Sequence, residues 1–231
     1  MIDAARSADR LLGMDFGYRC VTGANAMRQL ARSGALGSIY ACELTFHNAY
    51  GPSAAWAYDR ATAGGGCLLD LGIHLLDLAF WVLGSSRAEV QSASLRRSGR
   101  PLRGEHDIED YAAATLTTDG SVSVSLNCSW GLQAGRDASI AARFYGTKGG
   151  VGLRNTGGSF YDFVVERYEG ARSVRLGACS STWADEPIRD WAARMSNGRR
   201  FDPEVVGAIS VSAALDAIYA ASGFCSSGSG K

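Results

Sequence analysis

The sequence predicts an α+β fold in which helices cover one face of a large, open, mostly antiparallel sheet. Three observations support this prediction. Strand-like segments follow one another through the second half of the chain, helical patterns flank that run, and a hydrophobic fraction of 46% over 231 residues supports a substantial core. The formal net charge is zero and charges of both signs are interleaved, so neither nucleic acid nor a membrane is an indicated partner.

The individual elements follow from hydrophobic periodicity and from turn residues. A spacing of three or four indicates helices, alternation indicates strands, and glycines mark their ends. The first elements are a helix over 3–12, a buried strand over 11–18, a helix over 24–33, a strand over 38–50 and a helix over 67–83. Strands follow over 88–97, 111–118, 122–130, 140–146, 150–155, 160–168 and 173–176, and then helices over 185–197 and 203–222. The Ser/Gly-rich tail over 224–231 is expected to be disordered.

The cysteines and the first residues indicate the cellular compartment. Six cysteines are scattered singly with no zinc-like spacing, so each is expected to be a small buried hydrophobic residue. The N-terminus has no apolar signal core, and no uninterrupted apolar run reaches the roughly 18 residues of a membrane span. A reducing cytoplasm is therefore the expected location.

The helix predicted over 67–83 carries Asp70, His74 and Asp77 as its ionisable groups besides one thiol. At about 100° per residue they fall within a sector of roughly 60° and form one polar stripe on an apolar helix. Such a helix is usually buried, and three unpaired polar groups there would cost several kcal/mol. The three groups are therefore expected to be paired, to cap a backbone or to line a cleft.

One hypothesis is an acid–base site that lines a pocket. His74, with an unperturbed pKa of about 6.5, would take a proton from a substrate hydroxyl. Asp70 or Asp77 would orient the imidazole or hold a neighbouring hydroxyl. The three glycines at 64–66 would let a ligand or another backbone approach closely.

A structural interpretation of the same residues remains open. Here Asp70 caps or pairs locally and His74 is a satisfied core histidine. Asp77 would form an ion pair with an arginine such as Arg19 or Arg60.

Two further classes of function are alternatives. The stripe could hold a divalent ion, as in a metal-dependent hydrolase, with help from His47, His106 or Glu109. The protein could instead be a non-catalytic module that binds or oligomerises through the open sheet face, as a homodimer or tetramer. Six strand residues fit that surface or the core equally: Val122, Val124, Leu126, Phe144, Phe163 and Val165. No glycine-rich fingerprint opens a helix after a strand, so no dinucleotide-binding unit is visible.

Four segments carry a family resemblance. They are GGGCLLDLGIHLLDLAFWVLG at 64–84, MRQLARSGALGSIYACELTF at 27–46, FYGTKGGVGL at 144–153 and VVGAISVSAALDAIYAAS at 205–222. Together they resemble the family of glucose-fructose oxidoreductase, inositol dehydrogenase and MocA. The first resembles the family's hallmark segment, and the match covers nearly the whole chain. The resemblance implies that 23–223 is the family's substrate-binding and oligomerisation domain, similar to the C-terminal domain of dihydrodipicolinate reductase.

The resemblance also implies roles for the stripe. Asp70 and His74 match the family's Asp-x-x-x-His pair, with His74 as proton acceptor and Asp70 as its polar partner. Asp77 matches a further aspartate with a structural or substrate-contacting role. Hydride would pass from a carbinol carbon of a sugar, cyclitol or related polyol to NAD or NADP.

Four other candidates extend this implied site. Trp56, Tyr58 and Arg60, in the loop before the glycines, are expected to contact substrate. Arg19 is expected to contact the cofactor.

The chain departs from the family pattern at its start. Residues 1–22 resemble the last helix and strand of a Rossmann domain, so a segment on the order of a hundred residues is expected upstream. That segment would hold the phosphate-binding glycines and the Glu-Lys-Pro lysine, since neither Lys148 nor Lys231 has a matching context. The chain alone is therefore expected to bind no cofactor and to be inactive.

Overall fold

An open sheet of nine strands organises the part of the chain that this computed structural model describes, residues 1–104, 106–179 and 181–223. The strands are β1 (Ile39–Asn48), β2 (Ala88–Arg97), β3 (Arg100–Pro101), β4 (Tyr111–Thr118), β5 (Ser123–Ser129), β6 (Ala138–Gly146), β7 (Gly149–Asn155), β8 (Phe163–Glu169) and β9 (Arg172–Cys179). Their order is β3-β2-β4-β5-β1-β6-β7-β8-β9, and β1 and β5 are the one parallel pair among these described strands. The predicted α+β class is confirmed.

Helices cover one face of this sheet. The described α-helices are α1 (Ile2–Ser7), α2 (Ala24–Arg32), α3 (Arg60–Ala63), α4 (Ile73–Leu83), α5 (Glu186–Ser196) and α6 (Gly207–Ala221), and short 3₁₀ turns join several of them. α4 packs against both α2 and α6, and these three helices contact the strands beneath them. α4 ends at Gly84, whose φ of 76° is the left-handed conformation that glycine favours at a helix end.

The two faces of the sheet differ in polarity. On β1, Cys42, Leu44 and Phe46 are buried beneath the helices, and alternation places Glu43 and Thr45 on the opposite face. The six strand residues left undecided between core and association surface all belong to the core: Val122, Val124, Leu126, Phe144, Phe163 and Val165. Any association surface on the open face is therefore built from other residues.

Several predicted elements differ from the structure. The helix predicted over 3–12 ends at Ser7, and the helix predicted over 203–222 begins with a 3₁₀ turn over Pro203–Val206 before α6. The strand predicted over 11–18 is wrong, because the described residues 11–16 form no ladder and a 3₁₀ turn covers Gly17–Cys20. The apolar pattern there has no neighbouring strand to pair with in the described chain, and residues 13–15 are exposed. The helix predicted over 67–83 begins with a π-helical turn over Leu68–Gly72 before α4.

Three of the cysteines behave as predicted. Cys42, Cys67 and Cys128 are buried free thiols, whereas Cys20 is partly exposed. Cys225 lies outside the described residues, as does the side chain of Cys179 and the whole tail predicted over 224–231.

Two helical segments are long and apolar enough to be candidate membrane spans, Arg60–Leu83 and Pro203–Ala221. The apolar window of the first is 67% buried inside the fold, as in the core helix of a globular protein. The window of the second is 39% buried, and its helix packs on α4 and β2. By length and composition alone, both are weak evidence for a membrane.

Candidate active site

A buried carboxylate fixes the start of the helix that carries the candidate residues. Glu109 is fully buried, and its Oε1 accepts hydrogen bonds from the N–H of Gly66 at 2.8 Å, from the N–H of Leu68 at 3.2 Å and from the Tyr219 hydroxyl at 2.7 Å. The first N–H groups of a helix have no partner within the helix. Burial raises the pKa of Glu109, and these hydrogen bonds oppose that rise. Glu109 therefore caps the helix from a neighbouring segment.

The glycines before the helix allow two backbones to meet. A Cβ atom on Gly66 would lie 2.0 Å from the carbonyl oxygen of Glu109, and one on Gly65 would lie 2.1 Å from the Tyr219 hydroxyl. The same Glu109 carbonyl accepts a hydrogen bond from the N–H of Cys67 at 3.0 Å. Of the two expectations for this glycine run, close approach of another backbone is the one the structure confirms.

Asp70 lies in the π-helical turn and is exposed to solvent. Its Oδ2 accepts a hydrogen bond from the indole Nε1 of Trp130 at 2.9 Å. Among the described residues no hydrogen bond joins the Asp70 and His74 side chains. Asp70 therefore does not orient the imidazole directly. Its carboxylate is available to a ligand.

His74 lies in the first turn of α4, half-buried between aromatic rings. Its imidazole makes edge-to-face contacts with Tyr18 at 5.9 Å and with Phe16 at 6.4 Å between ring centroids. Neither ring nitrogen is hydrogen-bonded within the described chain, and neither is buried. Burial lowers the pKa of His74, and the negative charges of Asp70 and Asp15 oppose this. The arrangement favours a neutral imidazole with an accessible nitrogen, which is the form that accepts a proton.

Asp77 belongs to an ion pair inside the fold. It is 2% exposed, and Arg19 donates to both of its oxygens, from Nε at 2.8 Å and from Nη2 at 2.5 Å. The third nitrogen of Arg19 donates to Glu204 at 3.3 Å. Burial raises the pKa of Asp77, and the guanidinium opposes that rise. Asp77 therefore forms the ion pair that the structural interpretation expected, with Arg19 rather than Arg60 as its partner. A contact between Arg19 and the cofactor stays a prediction.

The three loop candidates lie in different surroundings. Trp56 is 61% exposed, whereas the Tyr58 ring lies edge-on to Trp130 with 5.8 Å between centroids. Arg60 lies over the Tyr219 ring at 5.5 Å, and its Nη1 donates to the carbonyl of Asp107 at 3.5 Å. Of these three contacts, that of Tyr58 is with Trp130, the residue that bonds Asp70. Substrate contacts for all three stay predictions.

Sequence reasoning missed the aromatic residues that frame the pair. Tyr18 stacks on Trp183 with 5.3 Å between ring centroids and meets His74 at its edge. Burial and the charge of Asp70 raise the pKa of Tyr18. Trp130 follows β5 and bonds Asp70. The sequence did contain one signal for Trp130. It is an indole at the end of a predicted strand, and a buried indole N–H usually donates to an acceptor nearby.

The described residues of the stripe form no metal-ligand cluster. Among the described residues no group of three potential metal ligands occurs, and Asp77 and Glu109 are already bonded, to Arg19 and to backbone N–H groups respectively. A cavity of about 380 Å³ is lined in part by Arg19, Arg28 and Trp81. Asp70 and His74 do not line it. The exposed carboxylate of Asp70 and the accessible imidazole of His74 therefore define the candidate site.

The fold and the site together define an α+β domain in which an exposed aspartate and a half-buried histidine lie on one helical segment packed against an open sheet. The chain belongs to the GFO/IDH/MocA family, since the model of that family's C-terminal domain matches residues 24–152.

Individual relatives agree with this membership. The chain is 29% identical over 164 residues to D-glucoside 3-dehydrogenase of Escherichia coli, covering 66% of this chain and 47% of that protein. It is 31% identical over 149 residues to trans-1,2-dihydrobenzene-1,2-diol dehydrogenase of Oryctolagus cuniculus, covering 64% of this chain and 42% of the relative. The chain thus spans less than half the length of these curated relatives.

A solved structure shows the same fold. A 3-ketoreductase from Actinomadura kijaniata, in complex with NADP and TDP-benzene, superimposes with a TM-score of 0.75 at 19% sequence identity. The superposition covers 95% of this chain and 65% of that one.

Proposed function

We propose that this chain supplies the substrate-binding and acid–base half of an NAD(P)-dependent oxidoreductase that acts on a hydroxyl group of a sugar, cyclitol or related polyol. The observation that carries the proposal is the accessible, unbonded imidazole of His74 beside the exposed carboxylate of Asp70. The names of two relatives, a glucoside dehydrogenase and a dihydrodiol dehydrogenase, support the same reaction class.

His74 performs the proton-transfer half of this reaction. Oxidation of a hydroxyl removes a proton from oxygen and a hydride from the adjoining carbon. The neutral ring of His74 takes the proton, and the nearby charge of Asp70 stabilises the imidazolium that forms. Trp130 holds one oxygen of Asp70, which leaves the carboxylate oriented to accept a hydrogen bond from a neighbouring substrate hydroxyl.

The hydride acceptor is held outside the described residues. A dinucleotide site needs a glycine-rich turn between a strand and a helix, so that the pyrophosphate meets the helix N-terminus. In the described chain no strand is followed by such a turn and helix. The residues present therefore do not fit a dinucleotide, and we assign this chain only the proton-transfer half. NAD or NADP as the cofactor of the whole enzyme is supported by the solved relative that carries NADP.

The proposal also covers the oligomeric state of the protein and its cellular compartment. The polar, uncovered face of the sheet is available for association into a homodimer or tetramer. The buried free thiols Cys42, Cys67 and Cys128 suit a reducing cytoplasm. Sedimentation of the purified chain at several concentrations would test the assembly state.

Ligand-observed NMR with a panel of sugars and polyols tests the site on the chain itself. Asp70→Asn and His74→Gln should each weaken binding of the sugars that the native chain binds by about tenfold, because each removes a hydrogen bond to a charged or basic group. Asp162→Asn, at an exposed carboxylate outside the site, is the matched control and should have no effect. Equal affinity in all variants would instead favour a non-catalytic module.

Calorimetry with NAD and NADP tests the cofactor assignment. The isolated chain should show no binding, because the described residues offer no cradle for the diphosphate. Micromolar affinity for either dinucleotide would contradict the assignment.

A further inference from the structure

Tyr18 combines a buried ring with an open hydroxyl group. The residue is 8% exposed, and its ring stacks on Trp183 and lies edge-on to Phe46 and Phe163, with 6.3 Å and 5.5 Å between centroids. Within the described chain no hydrogen bond reaches the hydroxyl, yet the hydroxyl is not one of the buried polar atoms that lack a partner. It is therefore accessible to solvent. Because a buried tyrosine usually has a partner for its O–H, an open donor at this point is unusual.

Packing fixes this ring before any ligand binds. Trp183, on which the ring stacks, donates from its indole Nε1 to the carbonyl of Tyr161 at 2.8 Å. Gly17 leaves room for that indole, since a Cβ atom there would lie 3.0 Å from Cζ3 of Trp183. On the other side of the ring in the sequence, Arg19 bonds Asp77 on α4. The hydroxyl is thus held in place on both sides, and little conformational entropy is lost when it binds a ligand.

The Tyr18 ring borders the candidate site. It meets the His74 imidazole edge-to-face, with 5.9 Å between ring centroids. Burial raises the pKa of Tyr18, and the nearby charge of Asp70 raises it further. The same charge acts on His74. At neutral pH Tyr18 is therefore a neutral phenol, whose O–H donates a hydrogen bond.

A sugar hydroxyl both donates and accepts hydrogen bonds, so it needs a donor as well as the acceptors of the site. Asp70 is an acceptor, and His74 accepts at the nitrogen that takes the proton. Two neighbouring donors are already used, because the Trp130 indole bonds Asp70 and the nitrogens of Arg19 bond other carboxylates. Apart from the second ring nitrogen of His74, the Tyr18 hydroxyl is the open donor among the described side chains that contact this pair.

We infer that the Tyr18 hydroxyl donates a hydrogen bond to an oxygen of the sugar or polyol that Asp70 and His74 bind, and is the third polar group of this site. The inference rests on the function proposed above for that pair. His74 takes the proton of the hydroxyl that is oxidised, whereas Tyr18 keeps its own proton, because a phenol with a raised pKa is a poor base at neutral pH. Tyr18 therefore favours ligands with an accepting oxygen at this point over ligands with hydrogen or an ammonium group there.

Tyr18→Phe tests the inference because it removes the hydroxyl and keeps the ring. No hydrogen bond within the described chain is lost, so the midpoint of thermal unfolding should not fall. Tyr40→Phe, which removes the hydroxyl of a tyrosine that is 57% exposed, is the matched control. Tyr40 precedes Phe46, the β1 residue that contacts the Tyr18 ring, by about 20 Å along the strand.

Ligand-observed NMR titrations of the native chain and both variants measure the effect. The probes are glucose, methyl glucoside and myo-inositol, each with its derivatives that lack one hydroxyl. Tyr18→Phe should weaken binding of the intact probes by about three- to tenfold, and Tyr40→Phe should leave it unchanged.

The deoxy derivatives distinguish a hydrogen bond from packing. The derivative that lacks the oxygen bonded by Tyr18 should bind the native chain and Tyr18→Phe equally, because its hydrogen bond is already missing. The other derivatives should still lose affinity in Tyr18→Phe. If every derivative loses affinity by the same factor, the substitution acts through packing and the inference is wrong.

The remaining outcomes separate this inference from the proposed function. If Tyr18→Phe binds the intact probes as tightly as the native chain does, while Asp70→Asn and His74→Gln bind them more weakly, the proposed function stands and this inference fails. If the native chain binds none of the probes, both fail.

Discussion

Asp70 and Asp77 occur on one apolar helical segment, yet their surroundings are opposite. Asp70 is exposed and receives one hydrogen bond, from the Trp130 indole. Asp77 is 2% exposed and receives two, both from Arg19. The polar stripe therefore consists of two parts with different roles. The part around Asp70 and His74 is accessible to solvent and can meet a ligand. The part at Asp77 joins the helix to the N-terminal segment through Arg19.

The largest expected effect concerns stability at Asp77. Asp77→Ala leaves the Arg19 guanidinium without its main partner in a mostly buried place and should lower the free energy of unfolding by about 3–5 kcal/mol. Asp70→Ala, the matched change at the exposed end, should lower it by less than about 1 kcal/mol. Urea unfolding of both variants measures the difference. If the two variants lose similar free energy of unfolding, Asp70 and Asp77 have the same structural role and the distinction between them is wrong.

The next effect concerns turnover at His74. In an enzyme that joins this chain to a dinucleotide-binding domain, His74→Gln should lower kcat by about a hundredfold, because the proton acceptor is lost. Asp77→Asn should lower stability more than it lowers kcat in the enzyme that stays folded. His106→Gln, at an exposed histidine, is the control. A kcat of His74→Gln equal to that of the control would remove the proton-acceptor role.

His74 should also make both the stability of the chain and the kcat of the enzyme depend on pH. The pKa of His74 is lowered in the folded chain, so the unfolded chain binds its proton more readily. The stability difference between the native chain and His74→Gln should therefore fall as pH drops below about 6.5 and level off below the folded pKa. The acid limb of kcat should likewise lie below pH 6.5. If kcat instead falls with acid at a pH above 6.5, a group other than His74 controls the proton transfer.

The fold was predictable from the sequence because its signals are local. Alternation set the bounds of β4 (Tyr111–Thr118) and β2 (Ala88–Arg97) to the residue, and Gly84 marked the end of α4. The strand predicted over 11–18 failed because apolar alternation reports a buried surface and does not report whether a neighbouring strand exists. Strand pairing is a property of the whole sheet.

The site was predictable only in part, for a related reason. Residue spacing on a regular helix placed Asp70, His74 and Asp77 on one face, but the π turn over Leu68–Gly72 alters that spacing. The partners that separate the two aspartates, Trp130 and Arg19, lie about sixty residues away in the sequence in either direction. The membership of Asp77 in an ion pair was one of two open interpretations, and only tertiary contacts decide between them.

A smaller effect is expected at Glu109, which caps the same helix. The pKa of Glu109 is raised in the folded chain, so between the unfolded value of 4.5 and the folded value the native state binds more protons and stability falls as pH rises. Glu109→Gln keeps an acceptor for Gly66 and Leu68 and has no charge to bury. The variant should therefore gain stability relative to the native chain as pH rises above 4.5. A constant difference across pH would show that Glu109 does not titrate.

The smallest effect isolates the indole that holds Asp70. Trp130→Phe keeps the ring against Tyr58 and removes the N–H that donates to Asp70. Because Asp70 is exposed, water replaces that hydrogen bond and the free energy of unfolding should change by less than about 1 kcal/mol. Sugar affinity, measured by the same NMR titration, should fall about two- to tenfold, since the carboxylate is free to rotate. Trp191→Phe, at an indole that lines the cavity beside Arg19 and does not bond Asp70, should leave affinity unchanged. A loss of stability without a loss of affinity in Trp130→Phe would place Asp70 with Asp77, as a structural residue.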